Sequence, residues 1–274
     1  MLIERLWVDN PLRNFNYLIG CGETGEALAV DPLDWQGCLR RAQTRGWRIT
    51  QIFNTHEHHD HIGGNAALVE ATGAAVLAPA AIAALIGGVS RPLRGGDEIR
   101  VGSSMTLTCL ATPGHTMAHA SLYAAGTGAD AGAGAAGTAP ALFCGDTLFN
   151  AGVGNCFRGG DPQRLFETVS DRLLQLPGTT RVYSGHEYFS NNLRFTLDRE
   201  PGNEAARALQ RRCEGMRPEE APITTLDEER TINVFLRLTQ PAVIDGLRAQ
   251  HPDWPEHPDP REVFVALRAL RDRW

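Results

Sequence analysis

The sequence has no C-x-x-C pair: its six cysteines, Cys21, Cys38, Cys109, Cys144, Cys156 and Cys213, are scattered along 274 residues. That excludes a small disulfide scaffold and leads us to expect reduced thiols in a cytoplasmic protein, most of them small core residues. There is no long apolar run at the start either. MLIERLWVDNPLRNFNYLIG carries charges and a proline within its first dozen residues, which suits neither a signal peptide nor a membrane span, so no membrane partner is expected. Positive charge is not in excess: a net charge of -6 and a pI near 5.8 argue against nucleic acid as a partner. Any anion site must therefore be local. No G-x-S-x-G elbow is present, so nothing signals a serine nucleophile of that type.

At 274 residues the chain exceeds the usual single-domain size, and one large domain with a smaller appendage is expected. FNYLIG and EALAVD read as a β-hairpin; RITQIFNT, AAVLAP, MTLTCLA, ASLYAA, ALFCGD and RVYSG read as further strands. Helical patterns lie between some of them, GNAALVEATG and DPQRLFETVSDRLLQLPG, the second with Asp161 as N-cap and Pro162 at the first helical position. Sheets covered by helices, an α/β layered domain, follow from this alternation. GTGADAGAGAAGTAP, residues 126–140, has no apolar periodicity and reads as a mobile loop joining two neighbouring strands. Beyond about residue 190 helical patterns take over, ending in DPREVFVALRALRDRW, where Asp259 caps a helix with Val263, Phe264, Leu267, Leu270 and Trp274 on one face. The expected division is 1–188 for the large domain and 189–274 for a small C-terminal α-helical domain.

The stretch THEHHDHIGGN sits between a predicted strand and a predicted helix and holds His56, His58, Asp60 and His61. A solvated histidine-rich loop, or an expression tag, is the plain alternative, and the internal position of the cluster speaks against it. His115 in TPGHT, Asp146 in FCGDTLF and His186 in YSGHEY each follow a β-like run in the same way. One such histidine alone would more often be an ordinary loop residue; four ligand-bearing loops at strand ends point to a metal site. Imidazole and carboxylate suit zinc first, and iron or manganese share the set. Seven candidates are too many for one ion with an open position and fit two ions sharing a carboxylate.

His-x-His-x-Asp-His followed by Gly-His, Gly-Asp-Thr and Gly-His-Glu loops resembles the metallo-β-lactamase superfamily. GDTLFNAGVGNCF, GHEY, TTLDEERTINVFLR and LRALRDRW resemble glyoxalase II, the hydroxyacylglutathione hydrolases. The resemblance implies an αββα sandwich with the site at one edge. It implies that His56, His58 and His115 hold one metal, that Asp60, His61 and His186 hold the other, and that Asp146 bridges them together with a water. Glu57, His59 and His119 match positions that are not ligands there, and support of the ligands or loop packing is the role expected of them. Two cations about 3.5 to 4 Å apart lower the pKa of a bridging water toward ~7, and the hydroxide, placed by Asp60 and Asp146, attacks the carbonyl. A thioester suits this chemistry because a thiolate leaves without a strong general acid.

The substrate implied is S-D-lactoylglutathione, released as D-lactate and glutathione in the second step of methylglyoxal detoxification; a monomer is expected. Arg268 and Arg271, three residues apart on the last helix, match a basic pair that binds a glutathione carboxylate, with arginine where lysine is usual at the second position. Tyr188 matches a residue that hydrogen-bonds the peptide of the thiol. The sequence departs from the family at Asn155 and Phe157, where a lysine and a tyrosine commonly touch glutathione. A thioesterase for a different thiol carrier, a lactonase or a persulfide dioxygenase is the alternative on the same fold, and a non-catalytic metal-binding protein is the alternative of another class.

Overall fold

The computed structural model describes residues 1–126, 138–249 and 254–274. Residues 127–137 of the expected 126–140 loop lie outside the described residues.

Six strands form the first sheet in chain order: β1 (Leu2–Trp7), β2 (Phe15–Gly20), β3 (Glu26–Val30), β4 (Arg48–Phe53), β5 (Ala75–Pro79) and β6 (Val89–Leu93). β1, β2 and β3 pair antiparallel, and β3 to β6 run parallel. Parallel neighbours need crossovers, and helices supply them: α1 (Trp35–Arg45) before β4, then α2 (His59–Ile62) and α3 (Asn65–Thr72) before β5, with α4 (Ala83–Ile86) before β6. The second sheet contains β7 (Glu98–Val101), β8 (Met105–Ala111), β9 (Ala120–Ala124) and β10 (Ala141–Gly145). After the short hairpin of β11 (Leu148–Phe149) and β12 (Gly152–Val153), β13 (Arg181–Ser184) completes it in the order β13-β10-β9-β8-β7. The eight strands read from the sequence all form. β1, β6 and β7 add to them; β6 contains Pro92, which an edge strand tolerates since its missing N–H leaves no ladder bond broken inside the sheet.

The two sheets face each other across one core that includes Tyr17, Leu28, Phe53, Leu107, Leu122 and Phe143. All five residues of β10, ALFCG, are buried, as expected for a strand covered on both faces. On the outer side of the first sheet, α1 and α3 cover Leu18, Ala29, Ile49 and Ile52. The outer side of the second sheet is covered by α5 (Pro162–Asp171), whose N-cap Asp161 accepts from the N–H groups of Gln163 and Arg164. The result is an αββα sandwich.

From residue 189 the described chain is helical: α6 (Phe189–Arg199), α7 (Glu204–Arg212), α8 (Leu226–Ile232), α9 (Pro241–Arg248) and α10 (Pro260–Arg271). α10 packs on α5, and Phe264 and Leu267 join Leu142, Leu165 and Val182 in a shared core. One side chain breaks the expected pattern of α10. Arg268, read from the sequence as lying opposite the apolar stripe, is buried at 5% exposure beside it.

Candidate metal centre

The four ligand-bearing loops follow β4, β8, β10 and β13, whose C-terminal ends meet at one edge of the sandwich. Two backbone hydrogen bonds hold this edge together, from Ala120 N–H at the start of β9 to Thr55 O after β4 at 2.9 Å, and from Gly185 N–H after β13 to Gly145 O at the end of β10 at 2.8 Å. Gly185 has to be glycine here: a Cβ would sit 2.4 Å from Asp146 Oδ1. The Gly-His pairing seen in the sequence thus has a steric cause.

His56 Nε2 lies 2.9 Å from His58 Nδ1, which is 3.1 Å from His115 Nε2. On the other side, His61 Nε2 is 3.4 Å from Asp60 Oδ2 and 3.3 Å from His186 Nε2, and His186 Nε2 is 3.4 Å from Asp60 Oδ2. Asp146 stands between the two groups, with Oδ2 3.5 Å from His115 Nε2 and 3.2 Å from His186 Nε2, and Oδ1 3.5 Å from His61 Nε2. The structure therefore brings all seven residues together as two three-donor groups joined through a carboxylate.

The set fits divalent ions. Donors around one ion at ~2.0–2.1 Å stand ~3.3 Å apart, close to the separations seen. Buried Asp146 Oδ1 has no hydrogen-bond partner, an expensive state for a carboxylate oxygen unless a cation faces it.

Four of the five ligand imidazoles are aimed by the bond the other nitrogen makes. Nδ1 of His56 meets Thr55 Oγ1 at 2.9 Å, that of His61 meets Asp31 Oδ2 at 2.8 Å, that of His115 meets Asn155 O at 2.7 Å, and that of His186 meets Leu12 O at 2.7 Å. These four therefore turn Nε2 inward. His58 is reversed and presents Nδ1.

Burial, aided by neighbouring imidazoles, pushes His56 well below the ordinary histidine range and lowers His58 and His115, which favours the neutral form a cation needs. Burial alone would raise Asp146, but His186 and His61 outweigh it and hold the carboxyl well below the usual range. His61 goes the other way. Burial lowers it, Asp146 and Asp31 more than compensate, and it is raised to about 9. A cation at this group competes with that proton.

Four residues support the ligands, and two of them, Asp31 and Asn14, are not marked by the sequence pattern. Asp31, at φ 47°, takes the Thr55 N–H at 2.8 Å as well as His61. Asn14 donates to Asp60 Oδ2. His119, read as a non-ligand, is buried, contacts Thr112 Oγ1 at 2.8 Å through Nδ1 and accepts the Asp146 N–H at 3.2 Å through Nε2. Glu57 accepts from Thr116 Oγ1 at 3.1 Å, joining the first and second ligand loops. Asn and Asp are common in turns, so the sequence carried no signal that singled out Asn14 or Asp31.

The substrate residues are less uniformly placed. Tyr188 stacks on His186 with centroids 5.0 Å apart and planes 3° apart, and its hydroxyl donates to Leu12 O at 2.9 Å. Asn155 and Phe157 share the loop after β12; Phe157 is 68% exposed, and Asn155 Oδ1 accepts from Phe157 N–H at 3.3 Å. Arg271 is half-buried, 3.4 Å from Asn192 Oδ1. Arg268 is engaged within the protein: its Nη1 donates to Val153 O at 3.0 Å and Gly154 O at 3.2 Å, and its Nε donates to Asp272 Oδ1 at 3.0 Å.

Residues 12–186 match the family model described as metallo-beta-lactamase superfamily, and residues 187–274 match that described as hydroxyacylglutathione hydrolase C-terminus. Hydroxyacylglutathione hydrolases from Nitrosococcus oceani and Polaromonas sp. are 52% and 51% identical to the chain, with 100% of the chain and 100% of each relative covered. Among solved structures, ETHE1 from Myxococcus xanthus is similar at 26% identity and TM-score 0.66, covering 98% of this chain and 99% of that one. TTHA1623 in a di-iron-bound form is similar at 27% identity and TM-score 0.56, covering 85% and 100%. The chain belongs to the hydroxyacylglutathione hydrolase family of the metallo-beta-lactamase superfamily.

Proposed function

We propose that the chain hydrolyses S-(2-hydroxyacyl)glutathione thioesters, S-D-lactoylglutathione to D-lactate and glutathione, with two divalent ions bound. The observation that carries this reading is the pair of donor groups, His56/His58/His115 and Asp60/His61/His186, sharing Asp146. Zinc is the ion we propose from the donor chemistry; the di-iron form of the TTHA1623 relative makes iron the alternative to measure. When bound, the ions supply Lewis acidity, lowering the pKa of water toward ~7 and polarising the thioester carbonyl.

The chain's own part is to hold and orient. Asp60 and Asp146 bring negative charge to the inner face of the site, and burial of His56, His61 and His115 keeps bulk water from competing for their inward nitrogens. No side-chain nucleophile is needed. The nearby Cys156 thiol is pushed up to about 12 by burial, so it is not a thiolate at neutral pH.

For the glutathione carboxylates the chain must use arginine, because its 26 basic residues include no lysine. Arg271 is our candidate contact, together with Tyr188, which stacks on His186. Asn155 and Phe157 supply neither a cation nor a hydroxyl, so glutathione is held here with fewer charge-assisted bonds than a lysine and tyrosine pair would give. We assign the metal site to residues 1–188 and substrate contacts to residues 189–274 together with Tyr188 and the Asn155 loop. The test is hydrolysis of S-D-lactoylglutathione set against thioesters of other thiols, lactones and β-lactams. Preferred turnover of the glutathione thioester is expected, and turnover confined to another class would overturn the reading.

A further inference from the structure

We infer that Glu229 is a positioning residue for the metal centre: from α8 it holds the turn of the β11–β12 hairpin, and through that turn the backbone around His115 and His186. The inference rests on the two-ion reading of the site above.

Asp146 precedes this hairpin and Asn155 follows it, with Asn150 and Ala151 as its turn. The strands are paired at two positions, Leu148 with Val153 and Phe149 with Gly152, too few to hold the shape alone. The turn is also strained: Ala151 has φ 61°, a left-handed conformation that a residue with a Cβ rarely adopts. The hold comes from α8 and the residue after it. Glu229, fully buried, takes the Ala151 N–H on both carboxylate oxygens at 3.0 and 2.9 Å. Asn233 Nδ2 donates to Gly152 O at 3.1 Å and to Glu229 Oε2 at 2.9 Å.

From the same carboxylate a second chain of bonds runs to His186. Thr224 Oγ1 donates to Glu229 Oε1 at 2.6 Å and accepts from Asn150 Nδ2 at 2.6 Å. Ser184 Oγ lies 3.1 Å from Asn150 Oδ1 and 3.0 Å from His186 O, with one proton to serve both. All of these residues are buried. The groups that face Glu229 are donors, the Ala151 N–H, the Thr224 hydroxyl and the Asn233 amide, so the side chain is needed as an acceptor. Leucine would fill much the same space and leave the Ala151 N–H unpaired in the interior. With that bond gone the strained turn relaxes, and Asn155 O, 2.7 Å from His115 Nδ1, moves with β12. A residue of the TTLDEERTINVFLR stretch, remote from the ligands in sequence, thereby acts on two of the four ligand loops.

The experiment compares Glu229→Leu, Glu229→Gln and Leu247→Ala in the full-length protein, at a temperature where circular dichroism shows each to be folded. It reads transfer of bound zinc to a chromophoric chelator, and the visible bands of the cobalt(II)-loaded protein, which report ligand geometry. Glu229→Leu is expected to weaken zinc retention ~10–100-fold, the range for partners of metal-bound histidines, and to shift the cobalt bands. Glu229→Gln, whose carbonyl oxygen still accepts the Ala151 N–H, should recover part of the retention. Leu247, buried on α9, packs in the core away from the hairpin turn, so Leu247→Ala should lower Tm and leave both metal readouts at wild type. Unchanged zinc retention and cobalt bands in Glu229→Leu, whatever its Tm, would overturn the inference and leave Glu229 a stabilising residue alone. Should Glu229→Leu fail to fold, Thr224→Val cuts the bonds to Glu229 and Asn150: weaker zinc retention supports the inference, and unchanged retention overturns it. The zinc readout stands apart from turnover, so absence of thioesterase activity in the unsubstituted protein would refute the proposed substrate without touching this result.

Discussion

The side-chain amide of Asn14 donates to Asp60 Oδ2 at 2.9 Å and to the Asp60 carbonyl at 3.2 Å. It holds the carboxylate that completes the second donor group, from a turn more than forty residues away in sequence. Asn14→Ala should weaken metal retention ~10–100-fold and lower kcat with it, read by chelator competition. Unchanged retention would mean that Asp60 finds its orientation without Asn14.

Gly154 lies where the loop after β12 crosses the metal site, and an added Cβ would be 1.9 Å from Asp146 O and 3.2 Å from His115 Nδ1. Both neighbours are fixed, one as backbone and one by its bond to Asn155. Gly154→Ala should therefore displace Asp146 or His115 and lose bound metal, as measured by elemental analysis. Full metal content and wild-type turnover in that variant would show that the loop yields more than its packing implies.

Arg237 and Glu200 form a two-pronged ion pair, Nε to Oε2 at 2.6 Å and Nη2 to Oε1 at 2.7 Å, that joins the segment after α8 to the end of α6. Glu200 is 6% exposed, so removal of its partner strands a buried carboxylate. Arg237→Met should destabilise the protein by ~3 kcal/mol, the lower end for breaking a buried pair, in denaturant unfolding. Loss of less than ~1 kcal/mol would place the pair with ordinary surface bridges.

Glu229 is a buried carboxylate from α8 that accepts the Ala151 N–H at 2.9 Å, Thr224 Oγ1–H at 2.6 Å and Asn233 Nδ2–H at 2.9 Å. Burial outweighs these donors and raises it from 4.5 to about 7. The folded chain therefore binds this proton more tightly than the unfolded one. The stability it contributes is complete below pH 4.5 and is lost as pH rises through 7. Thermal unfolding of Glu229→Gln compared with wild type across this window should show a flatter pH dependence in the variant. Identical slopes would mean that Glu229 keeps an ordinary carboxylate pKa.

The histidines and Asp146 were legible because each follows an apolar run and a turn, and strand ends of one sandwich must meet at an edge. The carboxylate and amide partners, Asp31 and Asn14, were not, since a single turn-forming Asp or Asn looks the same whether or not it faces an imidazole. Local pattern also fails at Arg268. On α10 it follows Leu267 at the margin of the apolar stripe, and only the approach of Val153 and Gly154 from another part of the chain decides that a cation is buried there. Strands with continuous apolar residues such as β10 were visible, while β11 and β12, two residues each, are too short for any periodicity to register.

The central claim is a two-ion centre that hydrolyses a glutathione thioester. The most direct test is titration of metal-free protein with zinc, and separately with iron, while following S-D-lactoylglutathione hydrolysis and counting bound metal by elemental analysis. The account predicts that turnover rises to its plateau at two ions per chain and that Asp146→Ala abolishes both the second equivalent and the activity. One iron per chain, with oxygen uptake on glutathione persulfide and no thioester turnover, would contradict it.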